Sequence, residues 1–417
     1  MATTSETPGS SFRLSMLLYD TRYRSLTIQV IFMFLMTIGF WWLVDNTLVN
    51  LAQKGKDIGF DFLGARAGYD INQRLVDYTN DSTHARAWIV GLLNTLILAV
   101  CACVSATVLG VIAGVLRLSK NWIVSKLMSI YVEIFRNVPL LLWIIVIFAV
   151  LTEITPAPNA FRGENATSSM LLFDTVAVTN RGTYLPGPLF ERSLGDFDLG
   201  IVSVSTNYLV LLLVIIGSVM GYRALQRNAT AVQEATGDRP VTWWKSALII
   251  VAPMLIALIA MGFHLEYPEL KGFNFTGGSY LRNSFIAMWL ALTLYTGAFI
   301  AENVRAGILA ISKGQSEAAF ALGLRPNRTM NLVILPQALR VIIPPLISQY
   351  LNITKNTSLA IAVGYMDLRA TLGGITLNQT GRELECMLLM MMTYLIISLI
   401  ISGVMNIYNN SVKLKER

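Results

Sequence analysis

Long apolar runs constrain this chain more than any other feature of its sequence. Six intervals between charged residues are close to or above the ~20 apolar residues that a helix needs to cross a bilayer. They are residues 25–44, 87–116, 199–222, 246–265, 283–301 and 386–412. Residues 122–152 and 332–353 form two further apolar runs, which contain charged side chains. The pattern predicts an all-α polytopic membrane protein with about eight transmembrane helices.

The composition excludes several other classes of protein. Only 14% of the residues are charged and 54% are hydrophobic, whereas a soluble domain has about 25% charged residues. Three cysteines in 417 residues cannot form a disulfide scaffold. The only histidines, His84 and His264, are too few and too far apart to form a metal site. We therefore expect neither a soluble enzyme nor a metalloprotein.

The basic residues predict how the chain is oriented. If the N-terminus is cytoplasmic, the alternation of spans places most Lys and Arg residues on the cytoplasmic side. The basic residues of two short loops on that side are Arg117, Lys120, Lys126, Arg223, Arg227, Arg239 and Lys245. The positive-inside rule then predicts that both termini are cytoplasmic. Because the basic excess lies beside the membrane, we expect no nucleic-acid partner.

Two polar segments, residues 45–86 and 153–198, lie outside in this orientation. The second is rich in Pro and Gly, which predicts irregular or strand-like pieces. Each segment is either a solvated connection or a docking surface for an external partner, and the sequence leaves both interpretations open.

The most specific pattern is in the cytoplasmic loop between the sixth and seventh spans, which reads SKGQSEAAFALGLR from residue 312. It predicts a short amphipathic helix that Ser312 caps, with Gln315 reaching back. Glu317 lies near the positive end of the helix dipole, and Gly323 ends the helix in a left-handed conformation. The residues of its smooth outer surface are Ala318, Ala319, Ala321 and Leu322. Such a helix suits insertion into a cleft on another protein.

These residues carry a family resemblance. Glu317-Ala318-Ala319, Gly323 and the later Leu335-Pro336 resemble the EAA signature of permease subunits of binding-protein-dependent ABC importers, with Val333 for the usual Ile. Residues 133–140 (EIFRNVPL), 312–319 (SKGQSEAA) and 355–359 (KNTSL) are similar to segments of the polar amino-acid (HisMQ-like) permease family. The chain has additional spans beyond the family's core, and it contains residues 364–368 (GYMDL) and 377–381 (LNQTG). In this arrangement it is most like the longer permease subunits of general L-amino-acid transporters.

The resemblance implies a five-helix core of the type I importer kind, in a bacterial inner (cytoplasmic) membrane. Residues 1–85 would be an N-terminal tail, a first span and a periplasmic loop. Residues 86–152 and 281–410 would form the core, with the EAA loop at 302–336. Residues 153–280 would be an insertion with a periplasmic segment and two extra spans, and residues 411–417 a cytoplasmic tail.

The resemblance also implies partners: a homologous second permease subunit, a dimer of ATP-binding subunits, a periplasmic amino-acid-binding protein, an amino-acid substrate and membrane lipid. ATP and Mg would be bound by the partner ATPase, with no cofactor on this chain. The sequence agrees, since neither Gly55-Lys56 nor Lys313-Gly314 has the spacing of a phosphate-binding loop. We therefore expect no catalysis by this chain. The implied coupling residues are Glu317, Ala318, Ala319, Gly323 and Arg325.

Polar side chains within the spans are candidates for the translocation pathway, because intramembrane polar groups commonly mark one. The candidates are Asn94, Thr95, Thr293, Tyr295, Thr296, Gln349, Asn352, Lys355 and Asn356. The last four follow a kink expected at Pro344-Pro345. Together they offer donors for the carboxylate and acceptors for the ammonium of an amino acid. The alternative is that these side chains hold neighbouring helices together by hydrogen bonds.

Charged residues near the cytoplasmic side repeat one spacing. Glu133 and Arg136 share the pattern E-x-x-R with Glu302 and Arg305, and Arg340 lies at a similar depth. One hypothesis is an ion-pair network that seals an inner gate or stiffens the coupling region. The alternative is local pairing at i, i+3, with arginines that reach the lipid headgroups.

Two other functions remain open from the residues alone. An ion-coupled secondary transporter of amino acids predicts internal repeats with broken helices around a site at the midplane, whereas the acids here lie near the cytoplasmic interface. A channel or a membrane-embedded scaffold would have no transport cycle. The resemblance favours a permease with alternating access, coupled through the EAA loop to a separate ATPase.

Overall fold

The structure is a computed structural model that describes residues 16–53, 55–163, 166–198 and 203–412. The chain divides into two compact units, Met1–Asp61 and Phe62–Arg417. The described part of the first unit contains helices α1 (Met16–Tyr19) and α2 (Thr21–Gln53), and α2 is apolar and long enough to cross a membrane. The predicted cytoplasmic tails before residue 16 and after residue 412 lie outside the described residues.

Twelve further helices are described in the second unit. They are α3 (His84–Arg117), α4 (Trp122–Asn137), α5 (Leu140–Ala149), α6 (Thr206–Thr236), α7 (Trp243–Ala260), α8 (Asn283–Leu309), α9 (Lys313–Ala321), α10 (Pro326–Thr329), α11 (Leu335–Asn356), α12 (Leu368–Ala370), α13 (Leu377–Thr380) and α14 (Glu383–Val412). The chain also has short 3₁₀ turns (Asp61–Gly64, Pro158–Phe161, Thr357–Val363) and π turns (Val150–Ile154, Met330–Ile334, Thr371–Thr376).

The number of membrane helices agrees with the sequence. Within the described residues, seven helical segments including α2 are long and apolar enough to cross a membrane, and the bent pair α4–α5 makes an eighth if it is one span. The prediction of an all-α polytopic fold with about eight spans is confirmed. Residues 122–152, however, do not form one straight helix, because the chain bends by 105° between α4 and α5. Pro139 removes a helical donor, and Val138 before it is extended (φ −107°, ψ 134°).

The bundle is built around the pair α3–α8, which approach closely through small residues. A Cβ on Gly110 would lie 2.6 Å from the side chain of Ile300, and one on Gly114 would lie 2.7 Å from the Ala301 carbonyl oxygen. Small residues at such positions allow helix backbones to pack tightly within a membrane. Helices α4, α5 and α11 then pack against α8, and α14 packs against α11.

The segment between α5 and α8 adds short strands and a helical hairpin. The strands are β1 (Ala177–Thr179), β2 (Gly182–Leu185), β3 (Gly187–Phe190), β4 (Asp196–Asp198), β5 (Ser203–Ser205), β6 (Phe263–Glu266), β7 (Glu269–Lys271), β8 (Asn274–Thr276) and β9 (Ser279–Arg282). Antiparallel pairing joins β1–β2–β9, β3–β6, β4–β5 and β7–β8. Helices α6 and α7 pack on each other as a hairpin between β5 and β6.

Asn283, the first residue of α8, fastens these strands to the bundle. Its side-chain amide donates to the carbonyl oxygens of Leu151 (3.2 Å), Thr179 (3.2 Å) and Asn180 (2.8 Å). The π turn after α5, the β1–β2 turn and the start of α8 are therefore held at one point.

Candidate functional site

Helix α9 occupies the loop in which the sequence predicts a short amphipathic helix. Its outer residues Glu317, Ala318 and Leu322 are exposed, and Arg325 beyond the helix is exposed too. Gly323 ends the helix with φ +77°, the left-handed conformation predicted for it. Ala319 differs from the prediction of a smooth outer surface, since it is 3% exposed and lies on the inner side of the helix.

The predicted cap at the start of α9 is absent. Ser312 precedes the helix, but its side chain makes no capping hydrogen bond. Gln315 does not reach back to Ser312, because its side-chain oxygen accepts a hydrogen bond from Gln337 of α11 at 3.2 Å. Gln315, which was expected to cap the start of α9, instead joins α9 to α11. Because only three residues separate α9 from α8, α9 is connected closely to both α8 and α11.

Glu302 on α8 is the centre of a charged cluster at the predicted cytoplasmic end of the bundle. Arg305 Nη2 donates to Glu302 Oε1 at 2.6 Å, and Arg117 at the end of α3 donates to Oε2. Arg136 Nη1 of α4 lies 3.9 Å from the same Oε2, and its guanidinium lies over the Phe299 ring. One carboxylate thus faces three guanidinium groups from three helices, which we call the Glu302 cluster.

Two residues of the predicted network lie outside this cluster. Glu133 is exposed and accepts a hydrogen bond from Asn137 at 3.3 Å, because the turn of α4 directs it away from α8. Arg340 forms no ion pair with a described residue, and its Nε and Nη2 atoms are buried without a hydrogen-bond partner in the described part of the chain. Of the two E-x-x-R pairs, Glu302–Arg305 pairs locally and Glu133–Arg136 does not.

Asn94 and Thr95, predicted from the sequence as candidate pathway residues, both have hydrogen-bond partners within the chain. The Asn94 side-chain amide donates to the carbonyl oxygens of Gln73 (2.7 Å) and Met366 (2.9 Å). Thr95 Oγ1 accepts from the backbone N–H of Leu368 at 3.0 Å. Both side chains are buried. These hydrogen bonds fasten the connection between α11 and α14 to α3.

The candidates on α8 also belong to helix packing. Thr293 Oγ1 shares a 2.7 Å hydrogen bond with Ser105 Oγ of α3, which accepts a second bond from Trp289 Nε1 at 2.9 Å. Thr296 is buried and Tyr295 is half-buried against the same core. These contacts connect α8 to α3 near the middle of both helices.

The candidates on α11 are arranged differently. Asn352 and Lys355 are exposed, while Gln349 and Asn356 are half-buried beside them. Ser348 extends the exposed row by one turn, and the spacing of three to four residues places these side chains on one face. Helix α11 continues through Pro344 and Pro345, the position of the predicted kink.

Asp367 is a buried carboxylate that the sequence did not single out, although it lies within the quoted motif of residues 364–368. Its Oδ1 accepts from the N–H of Ala370 at 2.9 Å and so caps α12. Its Oδ2 lies 3.5 Å from the hydroxyl of Tyr394 on α14. Burial raises the pKa of Asp367 to about 6, because a carboxylate away from water favours its neutral form.

Comparisons with known proteins agree with this architecture. The family model described as binding-protein-dependent transport system inner membrane component matches residues 239–414. The chain is 61% identical, over all of both chains, to the glutamate/glutamine/aspartate/asparagine transport system permease protein BztB of Rhodobacter capsulatus. It is 42% identical to the general L-amino acid transport system permease protein AapQ of Rhizobium johnstonii, over 98% of this chain and 96% of the relative. It is 44% identical to the putative amino-acid ABC transporter permease protein YhdX of Escherichia coli, over 90% of this chain and 91% of the relative.

Proposed function

Since the chain belongs to the family of amino-acid ABC transporter permeases, we propose that it is the transmembrane permease subunit of an ATP-driven importer of acidic amino acids and their amides. The observation that carries the proposal is the 61% identity, over the full length, to a permease named for glutamate, glutamine, aspartate and asparagine. A second permease, a separate ATPase dimer that binds ATP and Mg, and a periplasmic binding protein complete the proposed importer.

The exposed row on α11 supports a route for such substrates. Ser348, Asn352 and Lys355 are open in the single chain, and polar or charged side chains do not face lipid hydrocarbon without a large cost. This face therefore turns toward the second permease or a water-filled route between the two subunits. Lys355 supplies a positive charge for carboxylates, and Asn352 supplies an amide that both donates and accepts hydrogen bonds.

We assign the coupling to the ATPase to α9. Its exposed surface includes Glu317 and Ala318, and Leu322 at the helix end is 81% exposed. A shift of α9 would act on α8 and α11 together, through the short connection to α8 and the Gln315–Gln337 bond. ATP drives the change of access only by binding more tightly to one state of the assembly than to the other.

The Glu302 cluster would act as the inner closure in this scheme. It joins the ends of α3, α4 and α8, and α8 leads directly into α9. Because one carboxylate has three competing donors, a small movement of α8 can exchange partners and still leave Glu302 paired. An ion-coupled secondary transporter gives α9 no role, and the relatives do not favour it.

Charge reversal on α9 tests the coupling. The full chain, co-expressed with its second permease and ATPase, is purified in nanodiscs as wild type, as Glu317→Lys and as the control Glu234→Lys. Glu234 is an exposed acid near the end of α6. We expect Glu317→Lys to abolish ATPase stimulation by loaded binding protein without a change in thermal midpoint, and Glu234→Lys to behave as wild type. Full stimulation of Glu317→Lys would rule out coupling through α9, whereas failure of any ATPase to co-purify would refute the importer itself.

A further inference from the structure

Helix α4 has three distinct faces. Residues Met128, Val132 and Phe135 pack against Ala113 of α3 and small residues of α8. A second face is exposed and apolar, with Ile123, Leu127, Ile130 and Ile134 at 45–59% exposure. A third face is exposed and polar, with Lys126, Glu133 and Asn137. At 3.6 residues per turn these faces occupy separate sectors around the helix. One sector meets protein, one is suited to hydrocarbon and one to water.

The direction of α4 agrees with this division. Helix α5 follows it with the sequence LLLWIIVIFA, and a helix that is apolar on all sides belongs in hydrocarbon or in a protein core. Leu142 and Val146 of α5 are about half exposed, so part of its surface faces outward. Helix α5 continues through the π turn Val150–Ile154. If residues 140–154 run along the membrane normal, the 105° bend turns α4 close to the membrane plane. The helix then lies along the boundary of the membrane instead of crossing it.

The charged neighbours locate that boundary. Arg136 of α4 reaches Glu302, and Arg117 at the end of α3 reaches the same carboxylate. Trp122 is 74% exposed at the start of α4, and tryptophan is enriched at the membrane–water interface. Lys120 and Lys126 are exposed and form no ion pair with a described residue.

We propose that α4 is an interfacial helix, with its apolar face seated in the lipid leaflet and Lys120 and Lys126 bound to the phosphate groups of anionic lipids. Lipid fits this surface better than a second protein does, because interface cores are depleted of Lys and Glu and Lys126 and Glu133 adjoin the apolar face. Lysine beside an apolar face can extend its ammonium to a headgroup while its alkyl chain stays in hydrocarbon. This role is independent of the transport cycle, although Arg136 brings the helix into contact with the Glu302 cluster.

The position of α4 is tested by spin labels in the assembled transporter in nanodiscs. Single cysteines at Ile123, Leu127, Ile130 and Ile134 are labelled in a background of Cys101→Ala, Cys103→Ala and Cys386→Ala that retains uptake. We expect high oxygen accessibility, low accessibility to a water-soluble nickel reagent, and one common depth for all four sites. A label at Glu133 is the matched control and should show the reverse accessibility.

Two results would overturn the proposal. Depth that increases steadily from residue 123 to residue 134, by up to about 16 Å at 1.5 Å per residue, would mean that α4 crosses the membrane. Low accessibility to both reagents at all four sites would mean that protein covers this face.

The lipid contacts are tested separately by native mass spectrometry with phosphatidylglycerol and phosphatidylcholine. Each of Lys120→Gln and Lys126→Gln should weaken phosphatidylglycerol binding about five-fold, the effect of one basic residue near an anionic surface. The control Lys271→Gln, on β7, should leave it unchanged, and free inorganic phosphate should not compete. Unchanged phosphatidylglycerol binding in the double variant, or full competition by phosphate, would refute lipid binding by these lysines.

Discussion

The two ends of helix α3 both carry buried polar groups, but they satisfy these groups in different ways. At the predicted cytoplasmic end, Arg117 pairs with Glu302, a side chain that two other arginines also approach. Toward the other end, the side chains of Asn94 and Thr95 bond to backbone groups of described residues. Side-chain ion pairs can exchange partners when helices shift, whereas backbone partners move only if the chain path itself changes.

This difference suggests that the two ends of the α3–α8 pair behave differently during transport. The Glu302 cluster joins three separate helices and is partly open to solvent, so it can rearrange without unfolding anything. The contacts of Asn94 and Thr95 fix the connection between α11 and α14 to α3, so this region should move as one body. We expect the cluster to change during transport and the Asn94 region to keep its contacts.

The largest expected effect comes from removing the shared carboxylate. Glu302→Gln leaves three arginines together without their counter-charge, and loss of one partner of a buried ion pair costs about 3–5 kcal/mol. Because the Glu302 side chain is 24% exposed, we expect about 3 kcal/mol, measured as a lower thermal midpoint in nanodiscs, together with loss of uptake. Glu133→Gln is the matched control on an exposed acid and should change neither. Wild-type stability of Glu302→Gln would show that the cluster is not an important contact.

A smaller effect is expected from the other end of α3. Asn94→Ala leaves the carbonyl oxygens of Gln73 and Met366 without their donor, and an unsatisfied buried group costs about 1–3 kcal/mol. The thermal midpoint should fall, while the KM for glutamate uptake should stay within two-fold of wild type. If the KM rises ten-fold and the thermal midpoint does not change, Asn94 acts on the substrate and not on stability. The two ends of α3 would then not differ in the way described above.

Lys355 should show the opposite pattern to Asn94. Lys355→Gln removes a positive charge from the exposed face of α11, so we expect glutamate uptake to lose about ten-fold in kcat/KM, equal to about 1.4 kcal/mol. Glutamine uptake should fall less, and the thermal midpoint should not change. Lys355→Arg keeps the charge and should retain most of the activity. Equal losses for glutamate and glutamine in Lys355→Gln would contradict a role in carboxylate attraction.

The smallest effect is expected from removing Arg136, the most distant of the three arginines from Glu302. Arg136 lies 3.9 Å from Glu302 and its side chain is 35% exposed, so its contribution should be about 0.5–1 kcal/mol. Arg136→Gln should therefore lower the thermal midpoint much less than Arg117→Gln, whose side chain is 10% exposed. Thermal unfolding of the two variants, measured side by side, compares their losses in thermal midpoint. A larger loss for Arg136→Gln than for Arg117→Gln would mean that Arg136 is the main partner of Glu302.

Much of the fold was predictable because the bilayer imposes a length and a polarity on each span. Residues 122–152 differ from the other apolar runs, because the extended Val138 before Pro139 divides them into α4 and α5 with a bend of 105°. The exposed charges of α4 were the available signal, since Glu133 and Lys126 fall on one side of a helical wheel with the isoleucines beside them.

The candidate site was less predictable, because its contacts join residues far apart in the chain. Asn94 meets Met366 across 272 positions and Arg117 meets Glu302 across 185, distances over which one sequence contains no pairing information. Residue type showed that these groups needed partners but not which ones. The end of α9 was predictable, because it depends on the left-handed conformation of Gly323 alone. Its start was not, because Gln315 bonds to Gln337 of another helix.

We propose that ATP hydrolysis on a separate chain drives transport through this permease. The most direct measurement is uptake of labelled glutamate into proteoliposomes that contain the whole importer, with ATP or a non-hydrolysable analogue inside and binding protein outside. We predict uptake with ATP, none with the analogue, and no loss when ionophores dissipate proton and sodium gradients. Uptake that follows either gradient without ATP would contradict the account and identify a secondary transporter.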